Sequence, residues 1–240
     1  MAPSASKSVP VQTMAADSAL VVGGAAFVAD PSGALFWPEQ RLLAVADLHL
    51  EKGSSFASRG VLLPPYDTAA TLARLAPVVA RYAPRLVIAL GDSFHDGDGP
   101  RRLADTDRAA LRLMQRGRDW IWIAGNHDPD RAAGIGGRFV ETLILSGIAF
   151  RHKPSEGADG EIAGHLHPIA RVARRGSAVS RRCFAGDGRR LVMPAFGAYA
   201  GGLNVRDRAF MPLFPSLAFT AHMLGRQRVY PVAARRCLPD

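Results

Sequence analysis

Leu86-Val87-Ile88-Ala89-Leu90-Gly91-Asp92-Ser93-Phe94-His95 opens on five apolar residues and closes on a glycine, a carboxylate and an imidazole. An apolar run of that length without polar alternation reads as a strand covered on both faces, the situation of a central strand in an α/β sheet. The same grammar stands on either side of it. Upstream, the buried run 42–46 is followed by Asp47-Leu48-His49, and downstream the run 120–124 is followed by Gly125-Asn126-His127-Asp128. Helical patterns separate the three runs. Residues 67–81 carry Leu72, Leu75, Val78 and Val79 with a kink at Pro77, and residues 105–116 carry Leu111 and Met114 behind Asp105 as a cap. The order is therefore β-α-β-α-β.

Working outward, residues 20–28 and 35–37 read as opening strands. The second half changes character, with short strand patterns at 139–145, 148–151, 161–163, 169–174, 182–185 and 191–193 between Gly, Ser and Pro clusters. Helix returns only at 217–224. An α/β sandwich of two mixed β-sheets, face to face and flanked by helices, accommodates both halves. Residues 1–18 are rich in Ser, Ala and Pro without apolar period, and read as a disordered leader, with Met14 as an alternative start. Residues 19–240 then form a single domain.

Composition removes several classes. The chain has 240 residues, of which 48% are apolar and 21% charged, which excludes disorder of the whole. Its uncharged apolar runs fall well short of the ~20 residues that span a bilayer, and no signal-peptide pattern opens it, so membrane and secretory readings drop away. Cys183 and Cys237 are too few for a disulfide scaffold or a thiolate zinc site, and a cytoplasmic location is expected. The net charge of +9 points to an anionic partner. Of the 30 basic residues only Lys7, Lys52 and Lys153 are lysine, so a GC-rich coding bias explains the charge equally well.

The chemistry lies in where the metal-capable side chains fall. In an open α/β sheet the carboxyl ends of the strands share one crevice, so Asp47 and His49, Asp92 and His95, and Asn126 and His127 should converge. His152 ends another strand, and Gly164-His165-Leu166-His167-Pro168 follows a further one, with His165 and His167 on one side if that segment is extended. Only His222 of the seven histidines lies outside these clusters. Singly, each signal has a plain alternative: Asp after a strand is often a cap or turn former. In sequence, three buried strands each ending in ligand-capable groups are hard to explain as packing. Other features carry less. Trp37, Trp120 and Trp122 read as core, the stretch 96–99 as an ordinary loop, and the Gly134-Ile135-Gly136-Gly137 stretch follows no strand. Residues 171–190 hold seven Arg against one Asp, a solvated strand face first and a nucleic-acid groove second.

Asp47-x-His49, Gly91-Asp92-x-x-His95, Gly125-Asn126-His127-Asp128, His152 and Gly164-His165-x-His167 together resemble the five-part signature of the calcineurin-like binuclear metallophosphoesterases. His95 in the second motif is similar to the SbcD-type repair nucleases. Arg151-His152-Lys153-Pro154, the run from Gly164 to Pro168, and Leu191-Val192-Met193-Pro194-Ala195-Phe196-Gly197 resemble the DNA ligase-associated metallophosphoesterases, the PdeM endonucleases, although Lys153 stands where an acidic residue is expected. The resemblance implies one metal on Asp47, His49, Asp92 and His167 and a second on Asp92, Asn126, His152 and His165, with Asp92 bridging. Such a nitrogen and oxygen set suits Mn, Fe or Zn, and Mn comes first from the family. Two divalent ions bring +4 against the −2 of Asp47 and Asp92, which favours an anionic phosphoester substrate. The resemblance further implies hydrolysis of DNA phosphodiesters, single-stranded DNA first, by water shared between the ions. His127 would be general acid, with His95 beside it and Asp96 and Asp128 behind the imidazoles. DNA ligase and helicase are the repair partners it implies. A small-substrate phosphatase or nucleotide pyrophosphatase is the alternative enzyme, and a non-catalytic metal-binding scaffold the alternative outside catalysis.

Overall fold

The structure, a computed structural model, describes residues 19–126 and 134–240. The expected leader at 1–18 lies outside the described residues, as do His127 and Asp128. A seven-stranded sheet runs in chain order through β1 (Ala19–Val22), β2 (Ala25–Ala29), β3 (Leu35–Trp37), β4 (Leu42–Val45), β5 (Leu86–Leu90), β6 (Asp119–Ile123) and β7 (Arg138–Val140). Its first four strands pair antiparallel, and β4 to β7 pair parallel.

The second sheet has nine strands: β8 (Thr142–Leu145), β9 (Ile148–Arg151), β10 (Glu161–Ala163), β11 (Pro168–Arg174), β12 (Ser177–Gly186), β13 (Arg190–Val192), β14 (Leu203–Asn204), β15 (Thr220–Leu224) and β16 (Val229–Ala233). Strand β10 lies parallel between β9 and β13, while β11, β12 and β15 pair antiparallel. The two mixed sheets make the expected α/β sandwich.

Strand alternation divides the core. Leu42, Ala44, Ile88, Leu90, Ile121 and Ile123 face the second sheet and meet Phe150, Ile162, Phe184 and Leu191 there. Leu43, Val45, Val87, Ala89, Trp120 and Trp122 face the other way, against α2 (Asp67–Tyr82) and α4 (Asp105–Gln115). That is why these strands carry no polar alternation: both faces are covered. Trp37, Trp120 and Trp122 are core residues, each no more than 3% exposed. Two shorter helices, α1 (Lys52–Ala57) and α3 (Gly99–Arg102), lie in the connections after β4 and β5. The outer face of the second sheet is covered by irregular chain, with Phe210, Phe214 and Phe219 packing on Ala170, Cys183 and Met223.

Four local expectations are corrected. The run 20–28 is a hairpin, because Gly23 and Gly24 at φ 53 and 81 turn the chain between β1 and β2. The run 139–145 breaks at Glu141, and its halves enter different sheets. Residues 217–224 are not helical: a 3-10 turn at Pro215–Leu217 precedes β15. Alternate burial of Phe219, Ala221 and Met223 is a period of two, which the short apolar run disguised. Asp105 is the first residue of α4 rather than its cap, a place held by Ala104. Among the described residues no helix is long and apolar enough to cross a membrane.

Candidate metal centre

The parallel strands β4, β5 and β6 end at one edge, and the backbone beyond them is stitched together. His49 N–H donates to Asp92 O at 2.9 Å, Leu50 N–H to Ser93 O at 2.9 Å, and His95 N–H to Leu50 O at 2.9 Å. From the facing sheet, Gly164 N–H reaches His152 O at 3.0 Å, Phe196 N–H reaches Ala46 O at 2.8 Å and Gly197 N–H reaches Asp47 O at 3.1 Å. The loops after β4, β5, β9, β10 and β13 thus meet around Asp47.

This meeting holds residues in rarely used conformations. Asp47, His49, Asp92, His165 and His167 have φ of 52, 44, 44, 71 and 46. A non-glycine residue in the left-handed region costs roughly 1–2 kcal/mol. Here such residues fall at the positions the sequence marks for metal chemistry, and the expected extended geometry of 165–167 is replaced by left-handed turns. Consequently His165 and His167 point to different neighbours. His167 Nε2 lies 3.2 Å from Asp47 Oδ1 and 3.3 Å from His49 Nε2, whereas His165 Nδ1 lies 3.1 Å from His152 Nε2 and 3.4 Å from Asn126 Nδ2.

Asp47 is fully buried, and Asp92 and His152 are each 4% exposed. The Asp47 carboxylate accepts the His165 N–H at 3.0 Å and lies 3.6 Å from His152 Nδ1. Leu90 O, 3.1 Å from His152 Nδ1, can only accept, so Nδ1 carries a proton, and Nε2 faces Asp92 Oδ1 at 3.5 Å. Burial pushes His49 down to about 4, against the pull of Asp47 and with the help of His167. Burial also lowers His165, and the neighbouring His152 adds to it. His49 is therefore neutral near pH 7, with a lone pair for coordination, and the shift at His165 runs the same way.

Two groups could each hold an ion: Asp47, His49 and His167, and Asp47, Asp92 and His152, with donor atoms within 4.8 Å of one another in each. Two buried carboxylates and the neighbouring imidazoles crowd together, and a pair of divalent cations fits that donor set. Glycines make the crowding feasible. A Cβ on Gly91 would sit 2.4 Å from the His152 ring, one on Gly125 2.1 Å from Asp92 N, and one on Gly164 2.5 Å from Asp47 Oδ2.

His95 stands outside these groups, its ring 5.9 Å from that of His49 and 5.4 Å from that of Phe56. Asp96 is turned to Arg102, whose Nη2 donates to both carboxylate oxygens at 2.7 and 2.8 Å, and so braces the neighbouring wall. Burial works to raise Asp96, but the Arg102 guanidinium bound to both of its oxygens outweighs it, and the carboxyl stays below its usual value.

The sequence reading missed the clamps on the loop that braces Asp47. Arg74 donates to Phe196 O at 3.0 Å, Arg182 to Ala195 O at 2.9 Å and Ala200 O at 2.7 Å, and Lys52 to Tyr199 O at 3.0 Å. These carbonyls are remote in sequence and leave no local mark. Within the Arg-rich stretch, Arg190 is likewise buried, on Ser155 O and Ala158 O, while Arg174, Arg175, Arg181 and Arg189 are exposed.

Residues 40–175 match the family described as calcineurin-like phosphoesterase. Among solved structures, the Pseudomonas putida nuclease MPE superposes with a TM-score of 0.68 at 29% identity, over 89% of this chain and 98% of that one. The YfcE phosphoesterase from E. coli aligns with a TM-score of 0.41 at 13% identity, over 80% of this chain and 98% of that one. No curated protein sequence matches the chain.

Proposed function

This chain belongs to the calcineurin-like phosphoesterases, a family of binuclear metal-dependent phosphoester hydrolases, and from that premise we propose that it is a Mn-dependent phosphodiesterase that cuts DNA, as an endonuclease in DNA repair. The observation that carries this reading is the convergence of buried Asp47 and Asp92 with His49, His152, His165 and His167 at one strand edge. The nuclease named among its structural neighbours supports a nucleic-acid substrate.

In this proposal Asp47, His49, Asp92 and His167 would hold one ion and Asp92, Asn126, His152 and His165 the other, so that Asp92 would serve both. The bound ions, when present, acidify water and neutralise charge on the phosphoryl oxygens. The chain's own work is arrangement and proton traffic. Leu90 O fixes the His152 tautomer, the Asp47 carboxylate and its bond from His165 N–H set the loop after β10, and burial keeps His49 unprotonated. His127 donates a proton to the leaving alkoxide, and His95, beside His49, positions the phosphate or the His127 ring.

His127→Ala is expected to retain its metal and lose about 100-fold or more in diesterase rate, the scale of a general-acid effect. Metal content by atomic emission together with steady-state rates checks this, and an unchanged rate removes His127 from that role. The substrate class is tested by offering the Mn-loaded chain a bis-aryl phosphodiester, an aryl monoester and a single-stranded oligonucleotide. Cleavage of the diester and the oligonucleotide is expected. Turnover of the monoester alone would make the protein a small-substrate phosphatase, and two bound Mn with no hydrolysis of any ester would make it a scaffold.

A further inference from the structure

Every phenylalanine of the chain but one packs into an apolar core, on either face of the seven-stranded sheet or on the outer face of the second. Phe56, near the end of α1, is the exception. It is half-buried, and its ring meets that of His95 at 5.4 Å with an interplanar angle of 36°, while the His95 ring lies 5.9 Å from that of His49. One imidazole therefore separates Phe56 from a proposed metal ligand. Lys52 Nζ stands 5.9 Å from the centre of the Phe56 ring and gives one of its three N–H bonds to Tyr199 O.

The chain that follows α1 is apolar and turned outward. Val61, Leu62 and Tyr66 are exposed, Leu62 at 87%, and none of them joins a core. Val61 N–H donates to Phe56 O at 3.0 Å, and Pro65 Cα would lie 3.4 Å from a Cβ on Gly53, about one turn before Phe56, so both ends of this stretch run beside α1. Single exposed apolar residues need no explanation, but several on one loop mark a contact surface. The connection from β4 to α2 thus sets an aromatic ring, a cation and an apolar rim next to the metal centre.

We propose that Phe56 is the face on which a base adjoining the scissile phosphate stacks, and that this contact selects single-stranded over duplex DNA. The inference rests on the reading of the centre as a DNA diesterase. A phenyl face stacks on any base with little regard to sequence, and the Lys52 ammonium beside it suits the charged strand that carries the base. Its place against His95 puts the ring where a strand held at the ions passes. A duplex cannot use it, because each base there is paired and covered by its neighbours, and its face is offered only after it leaves the stack.

The test is kcat/KM of the full Mn-loaded chain on a short single strand of thymidines, on the same strand with an abasic spacer in place of every base, and on the thymidine strand paired in a duplex. The wild-type chain is expected to cut the thymidine single strand about fivefold better or more than either of the others, the lower end of what one base–aromatic stack contributes. Phe56→Ala should bring the two single strands level. Phe56→Leu, which keeps apolar bulk without a ring, should do the same, and Phe56→Trp should keep the wild-type preference. A gap between the thymidine and abasic strands that stays at its wild-type size in Phe56→Ala means that Phe56 acts only through His95 or the fold, and overturns the stack. So does a wild-type chain that cuts the abasic strand, or the duplex, as well as the thymidine single strand. Failure to cut any strand refutes the DNA reading of the centre itself, and the stack falls with it.

Discussion

Asp92→Ala is expected to lower the bound Mn from two ions to at most one and to abolish diester hydrolysis. The carboxylate is 4% exposed, its backbone is held at φ 44, and its Oδ1 lies 3.5 Å from His152 Nε2. Gly125 packs directly against it: a Cβ added there would lie 2.3 Å from Asp92 Oδ1. Residues that merely orient metal ligands cost about 10–100-fold in affinity or activity when removed, so loss of a bridging ligand should exceed that. Metal stoichiometry by mass spectrometry under native conditions, with rates alongside, provides the reading. Two ions retained in Asp92→Ala would refute the bridge. Asp47→Ala is the informative companion, since Asp47 belongs to both compact donor groups. If it empties both positions while Asp92→Ala empties one, the bridge is Asp47.

Gly91→Ala should disable the same site without touching a ligand. Two costs combine there. The residue has φ +73, where an alanine is strained, and its Cβ would lie 2.4 Å from His152 Cγ and Nδ1. The ring cannot retreat cheaply, because Nδ1 is tied to Leu90 O and the side chain is buried. The backbone strain alone is about 1–2 kcal/mol, and displacement of His152 adds loss of an ion from its group. Diesterase activity is expected to fall about 100-fold or more, with a lower melting temperature. Gly176→Ala separates the two costs: its φ is +81 and nothing lies within 4 Å of the added Cβ. That variant should lose only the backbone contribution and keep full activity. Equal activity losses in the two variants would show that strain rather than the clash governs the result.

The central strands were legible because burial on both faces suppresses polar alternation: the run 86–90 coincides with β5, 42–46 runs one residue past β4, and 120–124 is offset by one residue from β6. Residues 217–224 were not, since an apolar run of that length fits a helix or a strand until its neighbours are known, and β12 supplies the pairing that makes it a strand. Likewise the break at Glu141 depends on which sheet each half joins. Local sequence records what each residue tolerates, and pairing over long separations decides what it does.

For the metal centre the division is similar. From the sequence alone came the metal-capable residues and their places at strand ends, because a glycine followed by Asp, Asn or His after a buried run has few packing explanations. Only the tertiary structure decided that His165 and His167 part company, one toward His152 and the other toward Asp47 and His49. It also decided that Arg74, Arg182 and Lys52 brace the loop behind Asp47. Left-handed turns and carbonyl contacts between separate elements are set by how two sheets close on each other, and no stretch of chain carries that information by itself.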